Sequence, residues 1–177
     1  MSSCLQSEHQ TILQHGEAVA NKFKDLISGR TEGWRLPNWF IEHSDLLISR
    51  LPDLRILETY QIYHDCGKPF CSTIDSEGRR HFPDHARISS AVWRTLGGDQ
   101  YTAHLIEHDM DMHLLKPADA ASYSHLDIAP ALLLTALAEI HANAEMFGGI
   151  ESTSFKIKWK CLSKTGTILT NRIKELS

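Results

Sequence analysis

Apolar residues fall three or four positions apart in almost every segment of this chain, a spacing that fits helices and little else. Ile12, Val19, Phe23 and Leu26 form one stripe, with His15 on the same face. Ser7-Glu8-His9-Gln10 ahead of it has the form of a capping box, and Gly29 ends the helix. Arg30 to Pro37 reads as a loop. Asn38 is expected to cap a helix to about Arg50 that carries Trp39, Phe40, Leu46, Leu47 and Leu51. Pro52-Asp53 opens a third helix, on which Leu54, Leu57, Gln61 and His64 share a line. Phe70 to Phe82 is polar, with a turn at Asp75-Ser76-Glu77-Gly78. Pro83-Asp84 caps a helix striped by His85, Ile88, Val92 and Leu96, which Gly97-Gly98 breaks. Asp99 caps another, containing His104, Leu105 and His108. A less regular stretch follows, with a short helix after Pro117. Then comes the most apolar helix, opened by Asp127 or Pro130 and marked by Leu133, Leu137, Ile140 and Ala144. In the tail, Phe155, Ile157, Trp159 and Cys161 alternate as in a strand, but Phe155, Trp159, Leu162, Gly166, Leu169, Ile173 and Leu176 fit a helical stripe over a longer span. The expected fold class is all-α: a compact helical bundle, one domain over 1–177, with a basic C-terminal helix at 154–176 packed on the rest.

Composition narrows the function classes. A chain of 177 residues is long enough for a full core. A net charge of −4 argues against wholesale nucleic-acid coating while leaving room for a local basic patch. Cys4, Cys66, Cys71 and Cys161 form no CxxC pair, so free thiols in a reducing compartment are expected. The first ten residues are polar and carry no signal-peptide pattern. The longest apolar run, Ile128 to Leu137, contains Pro130 and is too short to span a bilayer. A cytoplasmic protein without a membrane partner is the expectation.

Eleven histidines are many for this length, and their placement carries the functional reading. His64 and Asp65 are adjacent. Neighbours on a helix point roughly 100° apart, so the two can grip one ion only if it lies at the helix end. Gly67 is expected to stop that helix, Pro69 to keep it from resuming, and Lys68 to sit at the rim with a mobile cation. His15, His64-Asp65, His85, His108 and Glu139 each lie on or near an apolar face of a different helix. Such residues can converge inside a bundle. Nitrogen and oxygen donors without thiolate suit a divalent transition metal, with Mn, Fe, Co or Ni ahead of Zn or Mg. His9, His43, His113 and His125 read as surface residues. His104-Leu105-Ile106-Glu107-His108 has the form of an inverted zincin string, but a protease of that type would leave His15, His64-Asp65 and His85 without a role. His104 then reads as exposed, or as a group behind the ligands.

On these motifs the chain resembles the HD-domain superfamily of metal-dependent phosphohydrolases, from about Gln14 to Gly149 within a motif core of about 8–149. Gln14-His15-Gly16 with Val19 resembles its first histidine helix, and His64-Asp65-Cys66-Gly67-Lys68 its His-Asp-x-Gly-Lys core. Pro83-Asp84-His85-Ala86 with Ser89-Ser90-Ala91 resembles the third motif, and Leu105-Ile106-Glu107-His108 the fourth. Leu137-Ala138-Glu139 stands where the family has Ala-Asp; glutamate reaches further by about 1.5 Å, one bond length, and Asp127 or His141 are alternatives for that ligand. The resemblance implies metal ligation by His15, His64, Asp65, His85, His108 and Glu139, with one ion or two, Asp65 bridging a pair. It implies catalysis through Asp65 and Lys68, with Lys68 touching substrate; His81 and Arg87, beside the third motif, are further candidates for substrate binding. The implied substrate is a small-molecule phosphate ester or nucleotide, or an RNA or DNA end, and relatives often form homodimers. The alternatives are a silent nucleotide-binding regulatory module, motivated by Glu139, and di-iron oxygen chemistry, which a few relatives of that superfamily perform.

Overall fold

In the computed structural model, residues 1–2, 4–7 and 10–176 are described, and their fold is all-α. In chain order the elements are β1 (Leu5–Ser7), β2 (Gln10–Thr11), α1 (Ile12–Ile27), α2 (Asn38–Ser49), α3 (Leu54–Tyr63), α4 (Lys68–Cys71), β3 (Thr73–Ile74), β4 (Arg80–His81), α5 (His85–Thr95), α6 (Gln100–Glu107), α7 (Asp111–Leu114), α8 (Pro117–Ala120), α9 (Ala129–Ala142) and α10 (Thr153–Glu175). The strands form two small antiparallel hairpins, β1 with β2 and β3 with β4. No helix among the described residues is long and apolar enough to cross a membrane. Met1–Ala20 with Asp53–Met110 form one compact unit; Asn21–Pro52 with the chain from Asp111 onward form another.

The first unit is built where small residues let helices approach. In α1, Ile12, His15 and Val19 are buried. A methyl on Gly16 would overlap the Ile62 carbonyl, so glycine is what allows α1 to lie against the end of α3. The cap of α1 is not at Ser7-Glu8-His9-Gln10: Ser7 ends β1, and Glu8 and His9 lie outside the described residues. The capping box sits later, where Thr11 Oγ1 accepts from Gln14 N (3.2 Å) and Gln14 Oε1 accepts from Thr11 N (2.9 Å). On α3, Leu57, Tyr60 and Gln61 are buried, but Leu54, expected on the same line, is 55% exposed. It is the first residue of the helix, which packs against α6. α5 likewise turns a different face inward than its apolar spacing suggests. Ala86, Ser89 and Ser90 are buried, while Leu96 is 77% exposed. Small residues win because α4 and α6 come close: Gly67 N donates to Ser89 Oγ (2.8 Å), and Ser90 Oγ donates to the Ala103 carbonyl (2.7 Å). A side chain at Gly67 would overlap the Ser89 backbone. Pro69 does not prevent helix formation either; it occupies the first turn of α4, where its missing N–H is not needed.

In the second unit α10 packs against α9, α2, α7 and α8. Ser152 caps it by accepting from Phe155 N (3.1 Å), and Phe155, Leu162, Gly166, Leu169 and Ile173 are buried, so the helical reading of the tail holds. Leu176, at the helix end, is exposed. Gly166 leaves room for the Trp39 ring. Asn38 is the first residue of α2 rather than its cap, Pro37 preceding it without a side-chain cap. The 30–37 loop is fastened at Arg35. Its carbonyl accepts from Trp159 Nε1 (2.6 Å) and His141 Nε2 (3.3 Å), its guanidinium lies 4.6 Å from the Trp159 ring centre, and neighbouring Trp34 stacks on His141 at 4.2 Å.

A buried histidine–aspartate cluster as candidate metal centre

Asp65 is the hub of the first unit. His64 immediately follows the last residue of α3 and Asp65 lies in the turn beyond it, so the adjacent pair meets at a helix end as its spacing required. His15 arrives from α1 across Gly16, and His85 from the start of α5. His64 Nε2 lies 3.3 Å and His15 Nε2 3.8 Å from Asp65 Oδ2; His85 Nε2 lies 3.5 Å from Oδ1. The His15 and His64 rings meet edge to face, with centres 5.2 Å apart. His15, His64 and Asp65 are at most 2% exposed. Lys68 is buried rather than mobile at a rim. Its Nζ donates to Asp65 Oδ2 at 2.6 Å and lies 5.3 Å from the Phe82 ring centre.

The tautomers follow from the partners. His64 Nδ1 is 2.7 Å from the Gln61 carbonyl, and His85 Nδ1 is 3.0 Å from the Phe82 carbonyl. A carbonyl only accepts, so both Nδ1 atoms carry hydrogen and both Nε2 atoms face the carboxylate. A neutral ring then presents a lone pair to the carboxylate, which a cation between them would satisfy; a protonated ring pairs with the carboxylate directly. Metal-bound histidines are commonly oriented through their other ring nitrogen in this way. Burial opposes ionisation of Asp65. The positive charge that His64, Lys68 and His15 offer outweighs it and holds the carboxyl well below the usual carboxylate range. Among the described residues, no hydrogen bond reaches the buried Asp65 Oδ1. Imidazole and carboxylate donors sharing an ion through bonds of about 2.0–2.2 Å stand roughly 3 Å apart, close to the spacing seen here. The buried His15–His64–Asp65 set therefore fits a metal ion by its donors and spacing.

The remaining candidates contact other residues. His108 caps the end of α6 and packs edge to face on His104, with ring centres 4.7 Å apart. Glu139 belongs to the second unit, where its carboxylate meets His113 Nε2 at 2.9 Å; His113 is half-buried rather than a surface histidine. Of the two alternatives to Glu139, Asp127 is exposed and His141 is packed between Trp34 and Phe155. His81 pairs with Asp75 across the β3–β4 hairpin (2.7 Å), and Arg87 with Asp84 (2.9 Å), both exposed. All four cysteines are free thiols. Sequence reasoning did not see the carbonyls of Gln61 and Phe82, which no side-chain pattern reveals. It used Gly16 only as part of the first histidine motif, although a glycine inside an amphipathic helix is itself a sign of close approach.

No protein-family model matches this chain, and neither a curated protein nor a solved structure does.

Proposed function

We propose that this chain is a metal-dependent phosphohydrolase acting on a nucleotide or on a phosphate at a nucleic-acid end. What carries the reading is the arrangement around Asp65: three imidazole Nε2 atoms within 3.8 Å of one buried carboxylate, with a lysine ammonium on the same group. His15, His64 and Asp65 would hold a divalent transition ion, with His85 on the free side of the carboxylate. Such an ion supplies Lewis-acid charge for activating water and for drawing electron density from phosphoryl oxygens. Lys68 adds fixed positive charge beside it, suited to the negative charge that grows during phosphoryl transfer. His15, His64 and Asp65 are nearly inaccessible to solvent, which strengthens each of these electrostatic effects. The test is metal content by elemental analysis together with phosphate release from a nucleotide panel. His64→Ala and Asp65→Asn are expected to abolish both; retention of both would end the proposal.

A second reading, a binding module without turnover, is favoured by one observation. Lys68 Nζ occupies Asp65 Oδ2 at 2.6 Å, the same oxygen that His15 and His64 face. If the ammonium stays there, it competes with an ion for that oxygen. Nucleotide binding with no phosphate release across Mn, Fe, Co and Ni would select this reading.

A further inference from the structure

The string His104-Leu105-Ile106-Glu107-His108 has no place in the reading above, yet it puts two imidazoles on one side of α6. Residues four apart on a helix are neighbours, and a histidine pair at that spacing is a recurrent two-point grip for metals. The pair is formed here: the rings meet at 77° with centres 4.7 Å apart, and each offers a nitrogen within 4.8 Å of the other's. Two imidazoles on one ion, with bonds of about 2.0–2.1 Å, hold their nitrogens roughly 3.3 Å apart. Side-chain rotation on two half-buried residues covers the difference. Glu107 lies beside them. Its carboxyl is held below its ordinary value by the hydrogen bond from Arg94 (2.8 Å) first, and also by the charge of His108 and His104, which places it in the electrostatic range of both rings.

We infer that His104 and His108 form a second, solvent-accessible metal site, separate from the buried cluster at Asp65. It would take a borderline ion such as Co, Ni, Cu or Zn through two imidazole nitrogens, with water completing the shell. His108 then serves the α6 pair and not the Asp65 cluster. Open access makes this the weaker and faster-exchanging site of the two. The inference does not depend on the chain being a hydrolase.

The experiment is a titration of the full chain with Co(II), following visible absorption and bound equivalents. The unsubstituted chain is expected to bind two equivalents with distinct spectra, one removed quickly by a chelator. His104→Ala and His108→Ala should each lose that fast equivalent and keep the slow one. Asp65→Asn should lose the slow one and keep the fast. His104→Asn, closer in size and polarity, guards against a folding defect and should behave as His104→Ala does. The inference is overturned if the His104 variants still bind two equivalents. It is equally overturned if His108→Ala removes the slow, buried equivalent.

Discussion

Gly16 in α1 lies against the carbonyl of Ile62 at the end of α3, so closely that no side chain fits between them. This contact brings His15 beside His64. In an ordinary helix interior Gly→Ala stabilises by about 1 kcal/mol. Here the added methyl meets backbone, which cannot rotate away, and overpacking of this kind costs roughly 1–3 kcal/mol or more. Gly16→Ala is therefore expected to lower stability by about 2 kcal/mol, against the propensity trend, and to reduce bound metal as His15 is displaced. Denaturant unfolding and elemental analysis check both.

Lys68 and Asp65 make opposed demands on the site. Lys68→Met removes the ammonium from Oδ2 and leaves a buried carboxylate with one counter-charge fewer. The metal-free variant should lose about 3 kcal/mol of stability. Saturating Mn(II) or Co(II) should restore most of it, because an ion that binds only the folded chain stabilises it by mass action. Metal affinity should rise several-fold, since a competing cation is gone, while phosphate release falls at least tenfold. Melting curves with and without metal, set beside turnover, separate these effects.

His141 predicts a pH dependence in the second unit. Burial pushes its imidazole down to about 4, and the charge of Lys22 adds to this, against the opposing hydrogen bond with the Arg35 carbonyl. A histidine with a depressed folded pKa binds its proton more readily when unfolded. Its contribution is therefore fully present above the unfolded value of 6.5 and lost as pH falls toward about 4. Between those limits the loss is on the order of 2–3 kcal/mol. His141→Phe keeps a ring against Trp34 and should flatten that part of the profile. Urea midpoints at both ends of the window test it.

The capping box at Thr11 and Gln14 stands immediately before His15. Thr11→Ala should cost about 1 kcal/mol, and Thr11→Gly only about a few tenths of that. A shift of a few degrees in the thermal midpoint would register the difference.

Much of this arrangement was readable in the amino-acid sequence, and the misses have a common cause. Helices with a single apolar stripe, such as α1 and α10, announce their inward faces, because burial of Phe23 or Leu169 dominates their placement. α5 does not. Its inward face is Ala86, Ser89 and Ser90, residues chosen for thinness and for hydrogen bonds to neighbouring backbone, and a hydrophobicity pattern is blind to both. The meeting of His15 with His64-Asp65 was legible because His15 and His64 continue apolar helical stripes, where a polar group needs a reason, and Asp65 adjoins His64. Lys68 was misplaced at the rim because a local reading of Gly67-Lys68-Pro69 cannot reveal a carboxylate three residues back that turns to receive it. Glu139 could not be set against His113 from sequence, since an irregular stretch separates them.

The two oxygens that orient His64 and His85 belong to the main chain, at Gln61 and Phe82. No side-chain replacement deletes them. The direction in which both imidazoles point is thus written into the path of the polypeptide, and the side chains around them can change while that aim persists.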